Sequence, residues 1–379
     1  MAALLIIIPD RLSEIVAKGE VVTRYYNPGD LFDEVHILMT NDDSIQPKGI
    51  RKMAGRARLF IHNLPIPPGL WFRPWRFNAW VKQAVILAAR IRPQLVRCYA
   101  GELNAYLAYQ IHKRLGIPYI VSIHTNPDEA ITDKVGWRRR LVRKAKERLQ
   151  RQALQGADLV LLVYQGIVPY ARRMGVTRFD VVYNVLNRDH LIPKTDYVLH
   201  RPVRVLSVGR QIPGKNPENI IRAVARVPDV QLTLVGDGPL HEDLRRMTKD
   251  CGVEERVVFL RSVPNDDLCA AMADYDFFAA YTDFMEIPKA VMEPLLVGLP
   301  VVVNQRKGQP VPELQGDFVL LVDGSVEGYE EAFRKLIDDD RLRESLGQKG
   351  FRHARIHWAP ERMEARLVEI YCRYLGSQC

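Results

Sequence analysis

The sequence predicts an α/β protein with two doubly wound parallel sheets, one in each half of the chain. Three observations carry that prediction. Short continuous apolar runs recur through both halves, helical patterns lie between many of them, and the periodicity fades from Asn187 to Pro202. Apolar strands separated by helices are what a parallel sheet covered on both faces requires. At 379 residues, 47% of them hydrophobic and 26% charged, the chain is too long for one ordinary core and suits two folded domains of about 150 to 200 residues.

In the first half the candidate strands are Ala3 to Ile8, Glu34 to Met39, Arg58 to His62, Leu95 to Tyr99, Tyr119 to His124, Leu159 to Val163 and Asp180 to Tyr183. The opening run is short, lacks a basic leader and stops at Pro9-Asp10, so it reads as a strand and not as a signal peptide. The clearest helical patterns are Leu103 to Leu115, ended by Gly116 and Pro118, and Trp137 to Gln155, ended by Gly156. Residues 187–202, rich in Asn, Asp, His and Pro, read as an interdomain linker. The pattern then restarts with strand Val203 to Val208 and a helix from about Pro217 to Val227. Strands follow at Gln231 to Val235, Val257 to Leu260, Phe277 to Ala280, Val301 to Val303 and Phe318 to Leu321. Helices are expected at Leu240 to Cys251, Asn265 to Ala273, Val326 to Ile337, Asp340 to His357 and Pro360 to Leu375.

Five cysteines, odd in number and without CxxC or Cys/His spacing, read as reduced thiols of a cytoplasmic protein with no zinc site. No apolar stretch reaches the roughly 18 to 20 residues of a membrane-spanning helix. The net charge of +9 is unevenly spread: residues 1–200 hold 30 Lys/Arg against 17 Asp/Glu, residues 201–379 hold 24 against 28. A basic half can serve nucleic acid, an anionic membrane or an anionic small substrate.

Four places carry chemistry. Gly209-Arg210-Gln211-Ile212-Pro213-Gly214-Lys215 follows the first strand of the second half. A strand, a glycine-containing turn and a helix aim backbone N–H groups at phosphate, and Arg210 and Lys215 add two cations there. A basic surface turn is the plain alternative. The Walker pattern is not matched, because Asn216 follows Lys215. Gly236, Asp237 and Gly238 form a second such turn, where glycine serves either a close ligand or a tight connection. Glu286 and Glu293, seven residues apart, flank Pro288, which suits a first helical position. Nearly two helical turns would let both carboxylates face one cleft at the strand ends. A solvated helix face is the alternative; the apolar residues around them, among them Val291, Leu295 and Leu296, argue for burial, and a buried carboxylate needs a partner. Finally His124 ends an apolar strand in the first half, a position equally suited to a hydrogen-bonded structural histidine.

Together these pieces resemble the retaining GT-B glycosyltransferases of the family-4 type. Thr282 to Val303 resembles the E-x7-E segment of that family, Gly209 to Lys215 its G-R-x4-K element, Gly236 to Pro239 its G-D-G-P turn, and Val182 to Asn187 the piece before its hinge. The resemblance covers residues 203–375 and, more loosely, 95–190. It implies the GT-B fold: two Rossmann-like doubly wound domains facing a central cleft, with the C-terminal helix crossing back to the first domain. The domains would be 1–186 together with 360–379 for the acceptor and 203–359 for the nucleotide sugar, joined by the linker 187–202. It also implies that Glu293 holds the ribose and Glu286 the sugar ring, that Arg210 and Lys215 neutralise the leaving diphosphate, and that His124 faces sugar and acceptor. Gly209, Gly236, Asp237 and Gly238 would belong to the donor loops. The family's Phe-Gly pair after the first glutamate is replaced by Ile287, Pro288 and Lys289; proline offers no N–H, which leaves Lys289 to take over the sugar contact. The glycine-rich turn after the family's first strand is also missing, with Pro9 to Ser13 in its place.

The expected activity is transfer of a sugar from a UDP-, GDP- or ADP-sugar to a glycan or lipid-linked acceptor, with retention and with no metal or other cofactor, in cell-envelope polysaccharide or glycolipid synthesis. A GT-B nucleotide-sugar 2-epimerase would use the same phosphate chemistry without an acceptor. A basic scaffold for nucleic acid is disfavoured, since aromatic-rich RNA motifs are missing and the second half is acidic. The basic half has another use. Residues 51–101 contain ten Lys/Arg and no acid, with aromatics and arginines interleaved from Leu70 to Trp80, and residues 134–151 hold nine Lys/Arg against Glu147. Such segments suit peripheral docking on the inner face of an anionic plasma membrane.

Overall fold

The computed structural model describes residues 2–129, 137–306 and 310–376, of which 137–141 are described by their backbone alone. The chain forms two compact units. One comprises Met1–Ala17, Val21–Val185 and Glu361–Cys379; the other comprises Lys18–Glu20 and Leu186–Pro360.

The elements of the first unit are β1 (Ala3–Ile8), α1 (Leu12–Ala17), β2 (Glu34–Met39), β3 (Arg58–Asn63), α2 (Pro74–Ile91), β4 (Leu95–Tyr99), α3 (Leu103–Leu115), β5 (Tyr119–Ile123), α4 (Trp137–Gln155), β6 (Leu159–Leu162), α5 (Val168–Arg173) and β7 (Phe179–Val181). All pairings are parallel, in the order β3-β2-β1-β4-β5-β6-β7. Leu4 to Ile7 are wholly buried, because the central strand is covered on both faces. Gly116 ends α3 in the left-handed conformation its position implied.

The interleaved aromatic and basic stretch from Leu70 to Trp80 spans a 3-10 turn and the first turns of α2, and the structure divides it. Trp80 is buried and its indole N–H donates to the Leu64 carbonyl at 3.1 Å, whereas Phe72 and Trp75 are 71% and 67% exposed. The indole N–H of the core-facing residue is satisfied by a backbone carbonyl, as a buried indole requires.

The second unit contains β8 (Val203–Val208), α6 (Glu218–Arg226), β9 (Val230–Val235), α7 (His241–Asp250), β10 (Val257–Leu260), α8 (Asn265–Ala271), β11 (Phe277–Ala280), α9 (Lys289–Val297), β12 (Val301–Asn304), β13 (Leu320–Val322), α10 (Val326–Asp338) and α11 (Asp340–His357). Its sheet is also parallel, in the order β10-β9-β8-β11-β12-β13. In both sheets the strand order reverses beside the first strand, which makes a topological switch point. The last helix, α12 (Pro360–Leu375), puts Leu367, Ile370 and Tyr371 into the core of the first unit with Leu95, Tyr99 and Leu161.

Two sequence expectations change. Residues 187–202 are not a bare linker, since side chains at irregular spacing fasten them to the second unit. Lys194 donates its backbone N–H to Val297 and its ammonium to Ala273, and Tyr197 donates to Gly298. Buried Asp276 accepts the His200 N–H, His200 Nδ1 and the Arg204 N–H at 3.2, 3.0 and 2.7 Å. Contacts made by scattered side chains leave no periodic trace. Among the cysteines, Cys98, Cys251 and Cys269 are free, but Cys372 is disulfide-bonded, which its sequence spacing did not suggest. No described helix is long and apolar enough to cross a membrane.

Asp276→Ala would leave three donors unpaired at the start of β8. The expected loss is about 2–4 kcal/mol, measurable by urea denaturation; unchanged stability would mean that the segment before β8 is not held by this carboxylate.

Candidate functional site

The site of the second unit grows from its switch point. β8 and β11 are neighbours, and the chain leaves β8 through Gly209 to Lys215 and β11 through Tyr281 to Pro288. Between these two exits lies a solvent-open crevice of about 560 Å³, lined among others by Gly209, Gln211, Lys215, Tyr281, Thr282 and Pro288. Open α/β sheets bind ligands at such a place, outside the carboxyl ends of the strands.

The first exit is braced by the Gly236–Gly238 turn. Gln211 donates its N–H to the Asp237 carbonyl at 2.9 Å and its side-chain amide to the Gly236 carbonyl at 2.9 Å. His241 Nδ1 donates to the other side-chain atom, Gln211 Oε1, at 2.7 Å, and both residues are buried. A Cβ on Gly236, at φ 145°, would stand 1.9 Å from the Gly209 carbonyl oxygen, and one on Gly238, at φ 156°, 2.3 Å from the Gln211 carbonyl oxygen. These glycines are therefore required by turn against turn, one of the two readings left open by the sequence. A Cβ on Gly209 would meet open space. Asp237 is exposed, caps the Gly238 N–H at 2.8 Å and takes a two-pronged contact from Arg261 at 2.9 and 3.0 Å. The Gly238 N–H and then Arg261 hold its carboxyl below the usual range. In this structure Asp237 shapes the turn.

The second exit is braced from β12. Buried Asn304 accepts the Thr282 N–H at 2.8 Å and donates to the Thr282 carbonyl at 3.0 Å. The two exits also touch: the Asp283 N–H donates to the Gly214 carbonyl at 2.7 Å, and a Cβ on Gly214, at φ 86°, would stand 2.9 Å from the Phe284 ring. Lys215 lies 5.7 Å from the centre of that ring and forms an ion pair with Glu286. The lysine assigned to diphosphate and the glutamate assigned to sugar thus neutralise one another. Arg210 is exposed at the same exit.

Glu286 and Glu293 are less alike than their spacing suggested. Six residues lie between them, one fewer than in the motif, and Glu286 precedes α9, with Pro288 in extended backbone at ψ 154° just outside the helix. As the sequence implied, only Glu293 is helical; but the helix starts at Lys289 and not at Pro288, so the two carboxylates are not related by two regular helical turns. Glu293 is 3% exposed and accepts from Asn265 Nδ2 at 3.3 Å. Burial pushes its carboxyl up to about 7, against the opposing pull of Lys289 and Asn265. Lys289, first residue of α9, lies 3.9 Å from Glu20, within the segment Lys18–Glu20 that belongs to this unit. The Lys18 carbonyl accepts the Asn265 N–H at 2.9 Å, at the start of α8. Sequence reading missed Gln211, His241, Asn265 and Asn304; an amide or imidazole carries no periodic signal, and its role depends on which loops meet.

In the first unit His124 follows β5, with its ring 5.4 Å from that of Tyr99. It lines a small hollow with Tyr25, Arg97, Ser122, Tyr183 and Asn184 at the carboxyl ends of β4 to β7. The described structure places Gly209 and Lys215 on one crevice, with Glu286 paired to Lys215 and Arg210 exposed at the same strand exit, Glu293 beside α8, and His124 in the first unit.

Comparison with known proteins gives the same architecture. The model for glycosyl transferases group 1 matches residues 196–353, and the model for the glycosyl transferase 4-like domain matches residues 29–184. A GDP-mannose-dependent alpha-(1-6)-phosphatidylinositol monomannoside mannosyltransferase of Mycolicibacterium smegmatis is 36% identical over 182 residues, 45% of this chain and 47% of that protein. A D-inositol 3-phosphate glycosyltransferase of Corynebacterium glutamicum is 34% identical over 46% of this chain and 44% of its own length. The matches span about half the length of these curated relatives. Among solved structures, Anabaena HepE in complex with UDP superposes with a TM-score of 0.76 at 16% identity, over 98% of this chain and 100% of that one. Sucrose-phosphate synthase from Thermosynechococcus elongatus gives 0.72 at 14% identity, over 99% of both chains. With one family model on each unit and this fold throughout, the chain belongs to the GT-B glycosyltransferases of the family-4 type.

Proposed function

We propose that the protein transfers a sugar from a nucleotide diphosphate sugar to a glycan or lipid-linked acceptor. The observation that carries this is the switch-point crevice, where Arg210 and Lys215 stand at the exit from β8 and Glu286 is set against Lys215. The diphosphate takes the place of Glu286 on Lys215, and the freed carboxylate turns to the sugar hydroxyls. Arg210 and Lys215 then stabilise the charge that grows on the departing diphosphate, an interaction stronger in the transition state than before it. The diphosphate itself accepts the acceptor proton, so retention needs no protein nucleophile, and two fixed cations serve in place of a metal. Glu293 binds the ribose. The UDP held by HepE and the GDP-mannose dependence of the mycobacterial relative support a nucleoside diphosphate donor. The phosphatidylinositol mannoside named for that relative supports a glycolipid acceptor and a place in cell-envelope synthesis.

A lipid-linked acceptor puts the enzyme at the cytoplasmic face of a membrane. Exposed Phe72 and Trp75 flank Arg73, and Lys146 on α4 lies 5.7 Å from the Trp71 ring centre, so the aromatic segment and the basic helix are neighbours within the first unit. Arg143, Lys144 and Arg148 are exposed on that helix. Lys134 lies outside the described residues, and Arg138, Arg139 and Arg140 are described by backbone alone. Interfacial aromatics with cations worth about 1 kcal/mol each near anionic lipid give reversible, salt-sensitive docking.

Four measurements test these assignments. Lys215→Ala and Arg210→Ala should each lower kcat by roughly 10² or more, while Glu286→Gln should abolish transfer yet bind free nucleoside diphosphate severalfold more tightly, because Lys215 is released. Calorimetry that found weaker diphosphate binding in Glu286→Gln would remove Lys215 from the phosphate site. For Glu293, a folded carboxyl near 7 against an ordinary 4.5 means that the native state holds a proton the unfolded chain has lost. Stability is then full below about pH 4.5 and falls as pH rises to about 7, by an amount on the order of 3 kcal/mol. Glu293→Gln should flatten that slope and weaken the nucleotide; a wild-type melting curve level from pH 5 to 7.5 would show that the carboxylate is already compensated. For docking, sedimentation with anionic vesicles should fall severalfold in the double variant Phe72→Ser, Trp75→Ser and at high salt, whereas a wild type that stays in the supernatant at low salt would exclude a membrane surface.

A further inference from the structure

Arg97 sits on the middle of β4, 6% exposed, with its side chain among aromatic rings. Its Nε donates to Ser122 Oγ at 3.1 Å, one terminal nitrogen donates to the Tyr371 hydroxyl, and the guanidinium lies 4.8 Å from the centre of the Tyr99 ring. Among the described residues its partners are Ser122, Tyr371, Tyr99 and Tyr25, and none of them is a carboxylate. Burial keeps the Tyr99 and Tyr371 phenols protonated, so no phenolate supplies the missing charge. An arginine does not shed its proton. A buried cation without a counter-ion is costly, and such groups are normally paired.

The same guanidinium lines the hollow shared with Tyr25, Ser122, His124, Tyr183 and Asn184. The hollow lies where β4, β5, β6 and β7 end, the edge at which open α/β sheets take their ligands. Its space of about 300 Å³ is continuous with solvent, and the enclosed part has room for about one water-sized group. That is enough for one oxygen of a carboxylate or phosphoryl group whose remainder stays outside, and too little for a sugar ring.

We propose that this hollow in the first unit binds one anionic group, a carboxylate or phosphoryl oxygen, with Arg97 as its counter-ion and the polar side chains around it as orienting partners. On the glycosyltransferase reading above, on which this step rests, the group belongs to the acceptor, which is therefore anionic near the hydroxyl that receives the sugar. Arg97 then recognises substrate, and does so in the unit that does not contain the diphosphate crevice.

The test is thermal melting of the full chain titrated with formate and, separately, inorganic phosphate at constant ionic strength. Wild type should gain roughly 3 °C or more at ten times the dissociation constant, and Lys215→Ala should gain as much from formate, since its defect lies in the other unit. Arg97→Met should not respond to formate, and whatever response to phosphate it keeps, arising at Lys215 in the other unit, should be lost when Arg97→Met is combined with Lys215→Ala. If Arg97→Met fails to fold, Asn184→Asp decides: it puts a carboxylate into the hollow that Arg97 lines and should melt higher than wild type with no response to formate. A flat wild type, or an undiminished response in Asn184→Asp, overturns the proposal. These readings need no turnover. If anions stabilise the protein and no sugar transfer is found, the activity is wrong and the site remains; if a neutral acceptor is glycosylated and anions have no effect, the activity remains and the site is lost.

Discussion

The chain departs from β8 and β11 toward different neighbours, and the gap this opens at the carboxyl ends of two adjacent strands is the constraint from which the donor site follows. Apolar strands can form the sheet but cannot shape the gap, which is set by polar residues that hold one loop to another. Gln211 and His241 fix the exit from β8 against the glycine turn, and Asn304 fixes the exit from β11. Each of these amides is buried with both its donor and its acceptor engaged, which gives a loop a single position.

Within that frame, charge is stored in pairs that a ligand can exchange. Lys215 and Glu286 satisfy one another, so on the proposed reading a diphosphate would replace a carboxylate and meet no bare cation. Such an exchange costs less than opening a buried ion pair to nothing, where the remaining charge would be left unpaired. Glu293 represents the opposite case. It is buried with one amide donor and a lysine at a distance, so it retains its proton to near neutrality. Arg97 completes the series as a buried cation among neutral hydroxyls and rings, unable to respond by losing its proton.

Much of this was legible beforehand. The sheet strands, α3, and the helices from α10 to α12 stood out because burial on two faces or on one stripe imposes a period on the sequence. The turn after β8 stood out as a candidate because glycine and two cations follow a strand end there. Where reading failed, the deciding neighbour lay far along the chain. Residues 187–202 seemed a linker because Asp276, which holds their end, comes some 76 residues after His200. Glu286 and Glu293 were expected to point the same way across nearly two turns, with Pro288 as the first helical residue, whereas Pro288 stands in extended backbone just outside the helix.

The sequence by itself determined two parallel α/β units, the strand ends that would bear the chemistry, and the residues Arg210, Lys215, Glu286 and Glu293 as its candidates. It did so because hydrophobic period and turn composition are local properties. Tertiary structure alone decided that Lys215 faces Glu286, that Gly236 and Gly238 exist to let two turns touch, that Trp80 is core while Trp75 is surface, and that Arg97 has no carboxylate beside it among the described residues. Each of those facts is a distance between residues from separate elements, and a distance across a fold is set only when the sheets close.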